Sequence, residues 1–339
     1  MKTRFTGICA LLCLIPALVM AEGYSVRKVD FGVNGHPLND GSYAGSLEKQ
    51  IAELKMLGLT TYRVNVNPAF ADKYERLSQL IAIAKQQGIQ ILPTIVIKAK
   101  DYSDEHAAHD DAKSKTYSLV KQFAGNLAIW ELGNEYDLYC LDKGSSGASP
   151  ADYDTGKYNV VRGILRGMLE GLHEANPSAS SIIETSKSDN YPVDSGFLQR
   201  LIEDGVRFDM IGYHYYDKDG HVPTTKGGTR TSALKILHDG FRKPIWITEF
   251  DKSSSGPNVG PSADSKAQGE ALSRAMSEIA AEADRYDVVN ADIYELLNQP
   301  EILTQPGVKP NQAQFGILGS DGELNNASRA VRDFLRSYR

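Results

Sequence analysis

Two glutamates in this sequence follow apolar runs, at the points where buried strands are expected to end. Glu135 comes near the end of residues 129–137, IWELGNEYD, and Glu249 near the end of residues 244–251, PIWITEFD. A strand that ends in this way brings its last side chains out of the core and towards a ligand. Two opposed carboxyl groups are what acid–base chemistry on a glycosidic bond requires. The pair therefore predicts an enzyme that cleaves glycosidic bonds.

The elements that position these glutamates alternate along the chain. Apolar strand segments are predicted at residues 29–34, 59–67, 89–97, 127–134, 181–185, 208–216, 244–250 and 288–297. Amphipathic helical segments are predicted at residues 46–57, 72–87, 106–123, 155–175, 196–204, 232–238, 266–284 and 327–338. Eight strand-then-helix units in a row predict α/β architecture as one (β/α)8 barrel. An open doubly wound sheet is the alternative, but no G-x-G-x-x-G turn follows the first strand.

Polar residues at the exits of the predicted strands would face the mouth of such a barrel. Two long βα loops, residues 141–154 and 253–262, are predicted to form a substrate cleft around it. The exit residues offer carboxylates, amides, a guanidinium and a phenol, which suit sugar hydroxyls. They lack the clustered ligands of a metal site, so we expect no catalytic metal and no cofactor. The candidates are His36, Arg63, Asn134, Glu135, His214, Tyr216, Glu249 and Glu295.

Several of these motifs resemble clan A of the glycoside hydrolases, a clan of retaining (β/α)8-barrel enzymes. The resemblance covers nearly the whole chain after its first residues. Its parts are Glu131-x-x-Asn134-Glu135 in the fourth strand, Glu249 in the seventh, Arg63 in the second and His214-Tyr215-Tyr216 in the sixth. Residues 294–300, YELLNQP, and 315–318, FGIL, are similar to the closing segment of families 5 and 39.

The resemblance implies a role for each matched residue. Glu135 is expected to be the general acid and then the base, and Glu249 the nucleophile. Asn134 is expected to bind the sugar 2-hydroxyl, while Arg63 and Tyr216 hold Glu249 ionised and aimed. Further sugar contacts are expected from His36 and His214. Glu295 has two interpretations, a sugar contact or an ion pair with an arginine, and Glu131 is expected to be structural.

A retaining mechanism makes physical demands on the two catalytic carboxyls. One must be neutral and the other charged at the same pH, so burial near Glu249 is expected to raise the pKa of Glu135. The two groups are expected about 5–5.5 Å apart, whereas a gap near 9 Å would indicate inversion. Clan members often carry a tryptophan on the eighth strand, where this chain has Tyr294. Trp130 and Trp246 fall early in their strands and are predicted to lie in the core.

The N-terminus predicts export. Lys2 and Arg4 precede an apolar run at residues 8–20, and Val19-Met20-Ala21 is a small-residue cleavage pattern. We expect a signal peptide at residues 1–21, a single catalytic domain at residues 22–339, and a secreted or periplasmic location. Cleavage would leave Cys140 as the one cysteine, so no internal disulfide is expected.

The overall composition narrows the partners. The net charge of −6 comes from interspersed signs with no long basic run, which argues against nucleic acid and against membrane binding after cleavage. We expect a monomer that cleaves a β-linked oligo- or polysaccharide with retention. Two alternatives stay open from the sequence: a catalytically silent carbohydrate-binding barrel, and a transglycosylase that uses the same two glutamates.

Overall fold

The strands of this protein close into a single parallel barrel. A computed structural model describes residues 28–187, 191–217, 219–226, 228–252 and 261–339. Each strand pairs with its sequence neighbours, and the last strand pairs with the first. The strands are β1 Asp30–Gly35, β2 Thr61–Val66, β3 Gln90–Ile95, β4 Ile129–Leu132, β5 Ser180–Ser186, β6 Met210–Asp217, β7 Ile245–Lys252 and β8 Val288–Ile293. The predicted (β/α)8 barrel is confirmed.

The helices follow the strands along the chain, and most begin at a residue that can cap them. Ser46 accepts a hydrogen bond from the amide of Lys49, and Asp154 accepts one from Lys157, so each satisfies a free N–H of a first turn. The helices are α1 Leu47–Leu57, α2 Tyr74–Gln87, α3 Glu105–Phe123, α4 Tyr136–Cys140, α5 Thr155–Ala175, α6 Ser195–Glu203, α7 Ala233–Phe241, α8 Pro261–Tyr286 and α9 Asn326–Tyr338.

The core has two parts. A large cluster lies between the strands and the outer helices and includes the fully buried Trp130. A smaller cluster contains Leu92, Ile182 and Trp246, which come from β3, β5 and β7. Side chains from alternate strands form the interior layers of a (β/α)8 barrel, so this cluster fills the barrel itself. Both tryptophans lie in the core, as predicted.

An extra residue in β7 decides which way Glu249 points. Gly212 and His214 of β6 pair with Trp246 and Glu249 of β7, so two steps on one strand match three on the other. In a regular strand, residues three apart face opposite sides. The extra residue in β7 cancels this reversal, so Trp246 and Glu249 both point to the inside of the barrel. Trp246 fills the interior, and Glu249 lies at the mouth. The sequence pattern of β7 does not reveal this bulge.

Helices α3 and α5 pack backbone against backbone. Gly163, Gly167 and Gly171 lie one turn apart on α5, and a methyl group added to any of them would overlap the backbone of α3. The overlapped atoms are the carbonyl oxygens of Glu105, His109 and Lys113. These glycines, which we call the glycine seam, hold the βα units that contain β3 and β4 at a fixed spacing.

Some sequence predictions differ from the structure or lie outside it. Helix α4 was not predicted, because five residues are too few to show helical periodicity. The predicted loop at residues 141–154 contains a short 3-10 turn at Pro150–Asp152 and a bridge between Leu141 and Tyr153. Of the predicted loop at residues 253–262, residues 261 and 262 begin α8 and the others lie outside the described residues, as does the expected signal peptide. No helix in the described part of the chain is long and apolar enough to cross a bilayer.

Candidate active site

Arg63 organises the polar residues at the barrel mouth. Its side chain on β2 is 1% exposed and makes four hydrogen bonds. Nε donates to Glu131 at 2.5 Å, and Nη2 donates to Asn134 at 2.9 Å. Nη1 donates at 2.6 Å to both Asn34 and Glu249. The guanidinium of Arg63 therefore connects β1, β2 and β7 with Glu131 and Asn134 of the fourth-strand motif.

Glu249 is held at both of its carboxylate oxygens. Oε1 accepts from Arg63 at 2.6 Å, and Oε2 accepts from the hydroxyl of Tyr216. Burial and the charge of Glu249 raise the pKa of Tyr216 well above its usual value, so the phenol stays a neutral donor. The two contacts fix the orientation of the carboxylate. This arrangement agrees with the predicted positions of Arg63 and Tyr216.

Glu135 lies opposite Glu249 across the mouth. An oxygen of its carboxylate lies within 4.8 Å of an oxygen of Glu249. The side chain of Glu135 is 37% exposed, in contrast to the buried Glu249. Its backbone has φ of 53° and ψ of 39°, a left-handed conformation that is unusual for a residue with a side chain. The separation fits the predicted 5–5.5 Å geometry and excludes the 9 Å alternative.

His214 lies beneath these residues and not at the surface of the cleft. It is 1% exposed, and its ring nitrogens lie 3.5 to 3.8 Å from four carboxylates: Glu135, Glu249, Glu184 and Glu131. Burial alone would lower the pKa of His214, but these carboxylates outweigh burial and raise it well above 6.5. His214 is therefore an internal cation, and its predicted sugar contact is not supported.

The expected rise in the pKa of Glu135 is wrong for this structure. Burial raises the pKa of this carboxyl, but the hydrogen bond and charge of His214 outweigh burial and lower it below its usual value. Sequence reasoning placed only the negative charge of Glu249 beside Glu135. The structure adds the imidazolium of His214, 3.5 Å from Glu135 Oε1.

Glu295 lies too deep to touch a substrate. Its side chain is 0% exposed, and Oε2 accepts from Gln299 at 2.7 Å and from Tyr43 at 3.3 Å. The same oxygen lies 3.1 Å from Nε2 of His36. This placement argues against both interpretations from the sequence, a direct sugar contact and an ion pair with arginine. His36 is 12% exposed at its side chain and remains the member of this pair that can meet a ligand.

Aromatic rings form one wall of the mouth. Tyr294 packs edge-on against Tyr216, His36 and Phe315, with ring centroids 5.6 to 6.1 Å apart. It is half-buried and follows β8 directly, so it occupies the place where a tryptophan was expected from the clan. A phenol has a smaller apolar face than an indole and adds a hydroxyl, so the wall offers a narrower platform with a polar end.

Two buried carboxylates complete the site. Glu131 accepts from Arg63 and, at 2.5 Å, from Thr94, which agrees with its predicted structural role. Glu184 on β5 accepts a hydrogen bond from the backbone N–H of Glu135, and it was missed. The signal was present, because residues 181–185, SIIET, put a carboxylate at the end of an otherwise apolar strand.

Three residues of the candidate site are also spaced like metal ligands. Among the described residues, Glu135, His214 and Glu249 each offer one ligand atom within 4.8 Å of the others. However, Arg63 and Tyr216 already occupy both oxygens of Glu249. A metal would also have to displace a proton from His214, whose pKa is raised by its surroundings. The chemistry of this donor set favours a network of ion pairs and hydrogen bonds over a metal centre.

Comparisons with known proteins find a similar fold but no matching sequence family. No protein-family model matches this chain, and no curated protein matches it. A family 39 glycoside hydrolase from the gut symbiont Bacteroides cellulosilyticus WH2 is similar over 91% of this chain, with 18% identity and a TM-score of 0.62. An exo-β-1,4-mannosidase from Opitutaceae bacterium strain TAV5 is similar over 92%, with 17% identity and a TM-score of 0.61.

A third similar structure matches this chain over nearly the whole of its own length. The β-glucosidase of Thermotoga maritima is similar over 92% of this chain and 98% of its own, with 12% identity and a TM-score of 0.67. By contrast, the chain spans 63% and 60% of the first two proteins. At these identities the likeness is one of fold. This protein therefore has the (β/α)8 fold found in a family 39 glycoside hydrolase, an exo-β-1,4-mannosidase and a family 1 β-glucosidase.

Proposed function

We propose that this protein is a retaining glycoside hydrolase that cleaves a β-linked oligo- or polysaccharide. The observation that carries the proposal is the pair of carboxylates of Glu135 and Glu249, which approach within 4.8 Å. Retaining enzymes place their two carboxyls about 5–5.5 Å apart, whereas inverting enzymes need about 6.5–9.5 Å to admit a water. The contacts of Arg63 and Tyr216 with Glu249 support its assignment as the nucleophile.

The reaction takes two displacements. Glu249 attacks the anomeric carbon as the bond to the leaving oxygen breaks, and Glu135 gives its proton to that oxygen. A water then attacks the glycosyl ester, its proton passes to Glu135, and Glu249 leaves as a carboxylate. Arg63 and Tyr216 stabilise the charge that returns to Glu249 in this second step. Asn134, fixed by Arg63 at 2.9 Å, is placed to bind the sugar 2-hydroxyl.

Glu135 must carry a proton when the bond breaks, although His214 lowers its pKa in this structure. Its side chain is 37% exposed, so a bound sugar removes much of the water that reaches it. Desolvation disfavours the charged carboxylate and raises its pKa. Substrate binding is therefore expected to raise the pKa of Glu135, and Nδ1 of His214, 3.5 Å from its Oε1, lies within reach as a proton donor.

The test compares the wild type with Glu249→Ala on aryl β-glycosides and β-linked polysaccharides. We expect the variant to lose at least about 10⁴-fold in kcat, because no second group can form the ester. Glu270→Ala, a glutamate on the exposed side of α8, is the matched control and should keep wild-type turnover. Proton NMR of the first product should show the β-anomer. Turnover by Glu249→Ala, or an inverted product, would overturn the assignment.

Two further parts of the proposal rest on the sequence. The signal at residues 1–21 supports a secreted or periplasmic enzyme. The long βα loop at residues 141–154 supports a polymeric substrate, because long loops at this face enclose an extended cleft.

A further inference from the structure

Glu184 is the residue of this site with the least obvious purpose. It lies on β5, is 3% exposed, and is a second carboxylate within reach of both Glu135 and His214. Burial raises the pKa of Glu184 well above its usual value, and a buried carboxyl group needs hydrogen-bond partners. The proposed reaction, however, uses no third acid at this position. The contacts of Glu184 show which groups it holds in place.

The first contact is with the backbone of the acid. The N–H of Glu135 donates to Oε1 of Glu184. Glu135 adopts a left-handed backbone conformation, which is unfavourable for a residue with a Cβ. Such a conformation persists only where the surroundings hold it. The hydrogen bond from its N–H to Glu184 helps to offset this cost.

The second contact fixes the chain on the other side of Glu135. Asp137, two residues further on, is 0% exposed and accepts from the backbone N–H of Ser186 at 2.5 Å and from its hydroxyl at 3.2 Å. The same hydroxyl lies 3.4 Å from Oε2 of Glu184. The end of β5 therefore hydrogen-bonds to the chain at Glu135 and at Asp137. The turn between these two residues directs the carboxyl group of Glu135 towards the barrel mouth.

We propose that Glu184 is a positioning residue for the general acid, holding the backbone of Glu135 so that its carboxyl faces Glu249. The inference rests on the proposed function, because it assigns Glu184 a part in proton transfer to the leaving group. The hydrogen bond to Oε1 does the positioning. Oε2 lies 3.7 Å from Nδ1 of His214 and helps to fix the ring that contacts Glu135.

The decisive kinetic readout is the dependence on leaving group. A misplaced acid slows cleavage of a poor leaving group, which needs a proton, and spares a good one, which does not. A general loss of structure slows both alike. Phenyl and 2,4-dinitrophenyl β-glycosides of the sugar that the wild type turns over supply the two cases.

Two substitutions test the hydrogen-bond acceptor of Glu184. Glu184→Gln keeps an acceptor at Oε1, and Glu184→Leu removes it. For Glu184→Leu we expect kcat to fall about 10–100-fold on the phenyl glycoside and less than about 3-fold on the dinitrophenyl glycoside. Glu184→Gln should recover most of the loss. Glu53→Gln changes a buried carboxylate on the outer helix α1 and serves as the control for general destabilisation.

A crystal structure of Glu184→Leu tests the same inference without activity. Glu135 should leave the left-handed region in this variant and keep it in Glu184→Gln. An unchanged Glu135 backbone in Glu184→Leu, or equal losses on both glycosides, would overturn the positioning role. Glu135→Gln separates this result from failure of the proposed function, because normal cleavage of the phenyl glycoside by that variant would refute the acid itself.

Discussion

Replacement of Arg63 by methionine tests how the site is held together. Methionine keeps much of the apolar stem and removes the guanidinium with its four hydrogen bonds. Two carboxylates, Glu131 and Glu249, then lose the cation that they contact at 2.5 and 2.6 Å. Removing one partner of a buried charge pair leaves the other uncompensated, which typically costs about 3–5 kcal/mol.

The pKa of Glu131 gives a second value for the stability lost when Arg63 is replaced. Burial raises this pKa, but the charge of Arg63, helped by His214, outweighs burial and lowers it from 4.5 to about 2. At about 1.4 kcal/mol per pKa unit, this corresponds to about 3 kcal/mol of stability at pH 7. For a domain of this size, the loss of that amount should lower Tm by about 4–6 °C.

The pH dependence follows from the sign of the shift. The pKa of Glu131 is lower in the folded chain than in the unfolded chain, so folding is favoured above the ordinary value near 4.5. The stabilisation is lost as the pH falls towards 2, where the carboxyl is protonated in both states. The difference in unfolding free energy between wild type and Arg63→Met should therefore be largest at neutral pH and shrink below about pH 4.5.

Urea unfolding followed by circular dichroism, at pH 7 and pH 3, measures this difference. Arg162→Met is the matched control, since Arg162 on α5 also pairs with two carboxylates, Glu105 and Asp204, both at 2.6 Å. That side chain is 21% exposed, so its loss should cost no more than about 1 kcal/mol. Adding Glu131→Gln to Arg63→Met should restore part of the loss. A Tm within about 2 °C of wild type for Arg63→Met would refute the view that Arg63 neutralises buried carboxylates.

Two more predictions concern the proposed nucleophile, Glu249, and the N-terminus. Tyr216→Phe removes the hydroxyl that donates to Glu249, so kcat should fall about 10–100-fold with little change in KM; an unchanged kcat in steady-state assays would show that this hydrogen bond is not used. Mass spectrometry of the protein recovered outside the cytoplasm should give a chain that begins at residue 22, and a full-length mass would disprove cleavage after Ala21.

The fold was predictable because parallel strands buried on both faces are continuous apolar runs. Each of the eight predicted strands lies within three residues of an observed one at its start, as with Ile129–Leu132 against residues 127–134. The two catalytic candidates were predictable for a related reason. The chain places Glu135 and Glu249 at the carboxyl ends of strands, and all such ends meet at one face.

Depth along a strand was not predictable. His214 and Tyr216 are two residues apart on β6 and share a face, so the sequence treats them alike. In the structure Tyr216 reaches the mouth, while His214 lies one level deeper among four carboxylates. The same limit explains Glu295, which the chain turns inwards after β8. The local sequence pattern predicts the strand and the face on which a side chain lies. The depth of that side chain in the barrel depends on the register between strands.

The glycine seam has a consequence for how the protein tolerates sequence change. It spaces the βα units of β3 and β4, and β4 leads to Glu135, the proposed general acid. A single methyl group on α5, on the outside of the barrel, would wedge these two units apart. Libraries that randomise the outer helices should therefore keep positions 163, 167 and 171 as glycine, because a substitution there reaches the acid through the scaffold without touching the cleft.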